Sequence, residues 1–166
     1  MLLRLIMNQN LAGTYLTTLI TFDNFNMVDS LVSLADCAFE DNKSFSNGGI
    51  MFLSASKISI KNSNYTNNLS YQSGGAFFID KVNELDIEDC VFKNNTSLYS
   101  GGAVFVNYIS AISPFNVTNT IFFNNTSIQG NGGAVSINVV DSITFENCNF
   151  TLNRAFQGKG GAIYVM

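Results

Sequence analysis

The run Asp89-Cys90-Val91-Phe92-Lys93-Asn94-Asn95-Thr96-Ser97-Leu98-Tyr99-Ser100-Gly101-Gly102-Ala103-Val104-Phe105-Val106 decides the fold. It carries an aromatic followed three places later by Asn (Phe92, Asn95), then a Gly pair that opens an apolar strand. The aromatic and Asn recur as Phe39/Asn42, Tyr65/Asn68, Phe122/Asn125 and Phe150/Asn153, and the other Gly pairs begin at Gly48, Gly74, Gly132 and Gly160. Successive aromatics lie 26, 27, 30 and 28 residues apart. A period in this range marks units that bury their apolar faces only against their neighbours, so the chain is a solenoid.

Aligned on the aromatic, the units share further columns. Seven places before it stand Val32, Ile58, Leu85, Phe115 and Ile143, and five before it Leu34, Ile60, Ile87, Val117 and Phe145. Every residue between these two columns is polar: Ser33, Ser59, Asp86, Asn116 and Thr144. That alternation is the inward face of a strand. Two and four places after each Gly pair the residues are again apolar (Val104 and Val106, for example), which sets a further strand. Three places before the aromatic every unit has an Asx residue: Asp36, Asn62, Asp89, Asn119 and Asn147. Asp and Asn tolerate tight turns, so this column marks a bend between strands. A calcium ladder is disfavoured, because its two carboxylates lie two coils apart, about 9 to 10 Å at the usual strand spacing. The reading is an all-β, right-handed parallel β-helix of about five coils with three short parallel sheets. Handedness follows from the general chirality of parallel crossovers.

Composition agrees. With 46% apolar and 12% charged residues, one Pro and no Trp, the chain suits many short strands joined by polar turns. A net charge of −4 without a Lys/Arg cluster gives nothing to neutralise phosphates, so neither nucleic acid nor an anionic membrane surface is an expected partner. No run approaches the ~20 apolar residues of a membrane-spanning helix. Residues 1–30 read as a degenerate N-terminal coil, cap or truncated segment, since Arg4 and the run Asn8-Gln9-Asn10 break the charge-then-apolar order of a signal peptide. Residues 31–166 are the β-helix repeats, expected to be a fragment of a longer protein. The last strand stops at Met166 and leaves unpaired edges, which invites end-to-end association through uncapped coils.

Cys37, Cys90 and Cys148 fall in one column, two places before the aromatic, in alternate coils. Such spacing exceeds the ~7 Å limit for disulfide Cα atoms, so they read as small buried fillers. Lys57 aligns with Glu84 and Lys61 with Glu88, as cross-coil ion pairs worth at most about 1 kcal/mol each. Nine Asn-x-Ser/Thr sequons occur, at Asn42, Asn64, Asn68, Asn94, Asn95, Asn116, Asn124, Asn125 and Asn149. Four of these are the repeat's own Asn followed by its own Ser, a position expected to hydrogen-bond neighbouring coils.

One place after the Gly pair stand Ile50, Ala76, Ala103, Ala134 and Ala162, and three places after it Phe52, Phe78, Phe105, Ser136 and Tyr164. Alternation puts both columns outward. The rings stabilise one another, or are covered by another segment such as residues 1–29, or form a docking stripe of Phe52, Phe78, Phe105 and Tyr164 for a protein or for the apolar faces of sugars.

The FxxN signature with GGA[ILV], as in Phe92 to Asn95 with Gly101-Gly102-Ala103-Val104 and again in Gly160-Gly161-Ala162-Ile163, resembles the chlamydial polymorphic outer membrane protein repeats. Similar repeats occur in large protist surface proteins of the pectin-lyase-like right-handed β-helix fold. The resemblance runs over residues 31–166, with Tyr65 in place of Phe and Ile50 in place of Ala. It implies an exported adhesin or structural passenger at the cell surface or outer membrane, with a host or cell-surface protein or glycan as partner.

Catalysis is not expected. There is no His, so imidazole triads and imidazole metal sites are absent. The densest acidic group, Glu84, Asp86, Glu88 and Asp89, lies within a single coil and has no partner carboxylate across the stack. No metal and no cofactor is implied. The alternative is a carbohydrate-active β-helix, a polysaccharide lyase or hydrolase, whose catalytic coils lie outside this segment or are absent from it.

Overall fold

A computed structural model describes residues 2–6, 10–12, 31–109, 115–140 and 142–166. The first strands are β1 (Leu2–Ile6) and β2 (Asn10–Ala12), followed by β3 (Leu31–Ala35), β4 (Ala38–Glu40) and β5 (Lys43–Ser44). Next come β6 (Met51–Lys61), β7 (Asn64–Thr66) and β8 (Leu69–Ser70), then β9 (Phe77–Glu88), β10 (Val91–Lys93) and β11 (Thr96–Ser97). The chain continues with β12 (Val104–Ile109), β13 (Phe115–Thr118), β14 (Ile121–Phe123) and β15 (Thr126–Ser127). It ends with β16 (Val135–Val139), β17 (Ile143–Glu146), β18 (Asn149–Thr151), β19 (Arg154–Ala155) and β20 (Ile163–Val165). No helix occurs among the described residues.

These strands stack as three parallel sheets in a β-solenoid of about five coils. The first sheet runs β1-β3-β6-β9-β12-β16-β20 with β13 and β17 beside it, the second β18-β14-β10-β7-β4-β2, and the third β19-β15-β11-β8-β5. Register follows the aligned columns: Ile58 pairs with Val32 and Leu85, and Phe92 with Tyr65 and Phe122. The strands β1 and β2 pair with β3 and β4, so residues 2–6 and 10–12 stack on the first coil. The remainder of 1–30 lies outside the described residues.

One strand assignment shifts. The strand after the Gly pair runs straight into the first strand of the next coil, as in β6 and β9, and both belong to the first sheet. The third sheet is built instead from the short polar stretch after the repeat's Asn. Its one inward place per coil is a small residue, and Ser70, Ser97 and Ser127 are buried there with their hydroxyls bonded to backbone carbonyls.

The core is the set of inward columns, with Ile58, Leu85, Phe115, Val104 and Ile137 fully buried. The signature rings stack down the axis, Tyr65 on Phe92 at 4.8 Å, Phe92 on Phe122 at 5.0 Å and Phe122 on Phe150 at 4.7 Å. Each such pair adds about 0.5–1.5 kcal/mol beyond simple burial. Tyr65 is the exception in a Phe column: its hydroxyl is buried with no hydrogen-bond partner among the described residues. Nearby Ser63 spends its one hydroxyl proton on the Lys61 carbonyl and so has none to donate to the Tyr65 oxygen. Burial pushes the Tyr65 pKa well above its ordinary value. Tyr65→Phe is therefore expected to stabilise the chain by about 1 kcal/mol, because it removes a desolvated, unpaired hydroxyl. The urea midpoint should rise, and a fall would mean that the hydroxyl has a partner.

The Asx bend is seen directly: Asp36, Asn62, Asp89, Asn119 and Asn147 all adopt φ between 45° and 55°. A second left-handed column, Asp41, Asn67, Asn94, Asn124 and Leu152, lies two places after each aromatic. The two glycines of each pair do different jobs. Gly101 sits at φ 68°, a region costly to residues with a Cβ. Gly102 lies so close to the next coil that an added Cβ would fall 2.0 Å from the Gly133 carbonyl oxygen.

The repeat's asparagines form a continuous internal row. Asn68 Nδ2 donates to Asn95 Oδ1 at 2.9 Å and Asn95 Nδ2 to Asn125 Oδ1 at 3.0 Å. The backbone N–H of Asn68 also donates to Asn95 Oδ1, at 3.0 Å. The Nδ2 of Asn68, Asn95, Asn125 and Asn153 additionally reaches back to the carbonyl of the preceding coil's aromatic, as from Asn95 to Tyr65 at 2.9 Å, while that of Asn42 reaches the Glu40 carbonyl. These buried amides are thus satisfied within the stack, and only Asn42 Oδ1, at its first rung, has no partner among the described residues.

Candidate functional site

The column expected to face solvent does not. Ala76, Ala103 and Ala134 are fully buried, and Phe78 and Phe105 keep only 8% of their surface exposed. The rings take each other's faces out of water, Phe52 on Phe78 and Phe78 on Phe105, both at 4.9 Å. Phe52 and Tyr164 are half-buried. What these rings leave open to water is mainly their edges, and a covering segment within residues 13–30 lies outside the described residues.

A different apolar row is open to water. Six places after each aromatic stand Phe45, Tyr71, Leu98, Ile128 and Phe156, at the outer end of the third-sheet strands. Their backbone N–H groups continue the parallel ladder, as Tyr71 to the Ser44 carbonyl and Phe156 to the Ser127 carbonyl. Phe45 is 74% exposed and Phe156 55%. Phe45 stacks on Tyr71 at 5.1 Å, Lys43 Nζ lies 5.0 Å from the Tyr71 ring, and the Arg154 guanidinium carbon lies 4.0 Å from the Phe156 ring. Between the repeat's Asn and its Gly pair no coil carries an acidic residue, although the chain has 12. Lys43, Arg154 and Lys159 all fall in these stretches. The third side is thus apolar and cationic on a molecule of net charge −4. Its signal was present in sequence as a column of five large apolar residues, hidden because the stretch reads as a polar loop.

The acidic group is tied up across the coils. Lys57 bonds Glu84 and lies 3.6 Å from Asp86, and Lys61 pairs with Glu88. Asn116 and Asn119 donate to Asp86 and Asp89, each at 3.1 Å. The Glu84 hydrogen bond holds the Lys57 pKa above its ordinary value, and Glu88 does the same for Lys61. The arrangement fixes register.

Cys37 and Cys90 are buried and Cys148 is half-buried, and Cys37 Sγ donates to the Ala35 carbonyl at 3.2 Å. Burial pushes the Cys90 thiol up to about 12, so it stays protonated at neutral pH and is no nucleophile. Burial also raises the pKa of Cys148. No helix among the described residues is long and apolar enough to cross a membrane.

A family model of the Chlamydia polymorphic membrane protein (Chlamydia_PMP) repeat matches residues 89–107 and 142–166. Each segment spans an aromatic-to-Asn signature and the Gly pair after it, the parts that the solenoid uses for ring stacking, amide row and close coil approach. No curated protein and no solved structure matches the chain.

Proposed function

We propose that this chain is a non-catalytic β-solenoid segment of an exported, cell-surface protein, acting as an adhesin or structural passenger. Support for export comes from the matched repeat of a membrane protein family. The observation that carries the contact role is the third side: an apolar row in which Phe45, Tyr71, Ile128 and Phe156 are exposed and Leu98 is half-buried, with Lys43 and Arg154 at its ends and no acidic residue. Aromatic anchors beside Arg and Lys suit a protein partner whose own surface is apolar and rimmed by carboxylates.

Beads coated with the 166-residue chain are expected to hold cultured cells above the level of bare beads. A Phe45→Ser, Tyr71→Ser, Phe156→Ser variant should lose about tenfold or more of that binding, because hot-spot aromatics are worth 2 kcal/mol or more. Its stability should fall only by the order of the one Phe45–Tyr71 stack, about 0.5–1.5 kcal/mol, with the fold kept. Equal binding by variant and wild type would remove this face from the function. No binding by the wild type would leave the structural passenger alone.

A further inference from the structure

The solenoid sorts the nine sequons by geometry. Asn42, Asn68, Asn95 and Asn125 are rungs of the buried amide row, at most 1% exposed, so an N-linked sugar on any of them is incompatible with the stack. All four are Asn-x-Ser, and their serines, Ser44, Ser70, Ser97 and Ser127, are the inward residues of the third sheet. The other five are Asn-x-Thr. Of these, Asn94, Asn116 and Asn124 spend their Nδ2 on Oδ1 of Asn67, Asp86 and Asn94 in the preceding coil, at 3.1, 3.1 and 2.8 Å.

Two remain. Asn64 and Asn149 are both exposed, and both lie one place before the buried aromatic on the outer face of the second sheet. Neither Nδ2 donates a hydrogen bond within the described protein, and the sequon hydroxyl of Thr151 donates to Asn149 Oδ1. Their neighbours in register are Ala38 and Val91 for Asn64 and Ile121 for Asn149, small or aliphatic side chains that leave the amide open.

We infer that Asn64 and Asn149 are the N-glycan acceptor sites of the folded chain, a reading that rests on the export proposed above. In the transfer, Asn Nδ2 attacks C1 of the first sugar of a lipid-pyrophosphate-linked oligosaccharide. The N–C1 bond forms, the C1–O bond to pyrophosphate breaks, one amide proton passes to a base of the transferase, and the lipid pyrophosphate leaves. The two acceptors stand three coils apart, about 14 Å at the usual strand spacing. Sugars there cover the exposed Ile121 between them and leave the third side free.

The test is secretion of the 166-residue chain, behind a cleavable leader, from cultured insect cells, followed by enzymatic deglycosylation in heavy-oxygen water and peptide mass mapping. The expected result is heavy-oxygen Asp at 64 and 149, none at 42, 68, 95 or 125, and loss of all glycan mass in the Asn64→Gln, Asn149→Gln variant. Glycan on any of the four row asparagines, in secreted or retained chain, overturns the inference. So does a secreted chain bare at both Asn64 and Asn149, or a double variant that still carries sugar. Because the leader supplies export, failure of the adhesive reading leaves this outcome untouched.

Discussion

Gly102→Ala is expected to cost the 166-residue chain about 4 kcal/mol or more, the range reached only when buried structure is forced apart. The new methyl would sit 2.0 Å from the Gly133 carbonyl oxygen and 2.6 Å from the Thr126 N–H nitrogen. Both are backbone atoms of the next coil, so no side-chain rotation relieves the overlap. The coils must separate, which breaks the Gly102 N–H bond to the Gly132 carbonyl and opens the packed rings beneath. Gly161→Ala is the internal comparison: its Cβ meets only the Asn153 carbonyl oxygen, at 3.7 Å. That substitution should lie within about 0.5 kcal/mol of the parent. Urea unfolding followed by circular dichroism separates the two, and a Gly102→Ala chain as stable as Gly161→Ala would show that the coils do not approach this closely.

Asn95→Asp should be nearly as damaging, about 4 kcal/mol near neutral pH, despite adding no volume. The carboxylate keeps the acceptor that serves Asn68 but loses both N–H donors, and its second oxygen then faces Asn125 Oδ1 and the Tyr65 carbonyl at the present 3.0 and 2.9 Å. An uncompensated charge is left in a fully buried row. Burial beside acceptors raises the pKa of such a carboxyl above the ~3.9 of the unfolded chain. Stability is then lost as pH rises through this range and regained as it falls, so the deficit against wild type should shrink toward pH 4. Asn42→Ala, at the rung whose Oδ1 has no partner among the described residues, should cost only about 1 kcal/mol. A pH-independent deficit for Asn95→Asp, or equal losses at both rungs, would show that the row is not a connected chain of amides.

The sequence made the inward face legible wherever side chains alternate over four or more residues. Val32/Leu34, Ile58/Ile60 and Leu85/Ile87 all point inward as read. The third sheet escaped because two-residue strands such as Lys43–Ser44 have one inward place, and a serine there gives no apolar signal. The Asx bend before the aromatic is legible as an all-Asx column, while in its counterpart two places after the aromatic Leu152 in the last copy blurs the pattern. Alternation also placed Phe78 and Phe105 outward without revealing how little water would reach them, because a ladder of like rings covers its own faces. The open row from Phe45 to Phe156 is hidden for the same reason as the strands that carry it.

The amide row has a sense of direction. Every carboxamide is turned the same way along the axis, its Oδ1 toward the preceding coil and one Nδ2 hydrogen toward the next, from Asn42 through Asn68 and Asn95 to Asn125 and on to Asn153 Oδ1. The dipoles therefore add, leaving, among the described residues, an acceptor pole at Asn42 Oδ1, as aligned peptide dipoles do in a helix. Such a spine lengthens by head-to-tail addition, each newcomer offering donors to one pole or an acceptor to the other. Two stacks brought together by like poles find only acceptor against acceptor or donor against donor, so polarity dictates the order in which turns of this kind are joined.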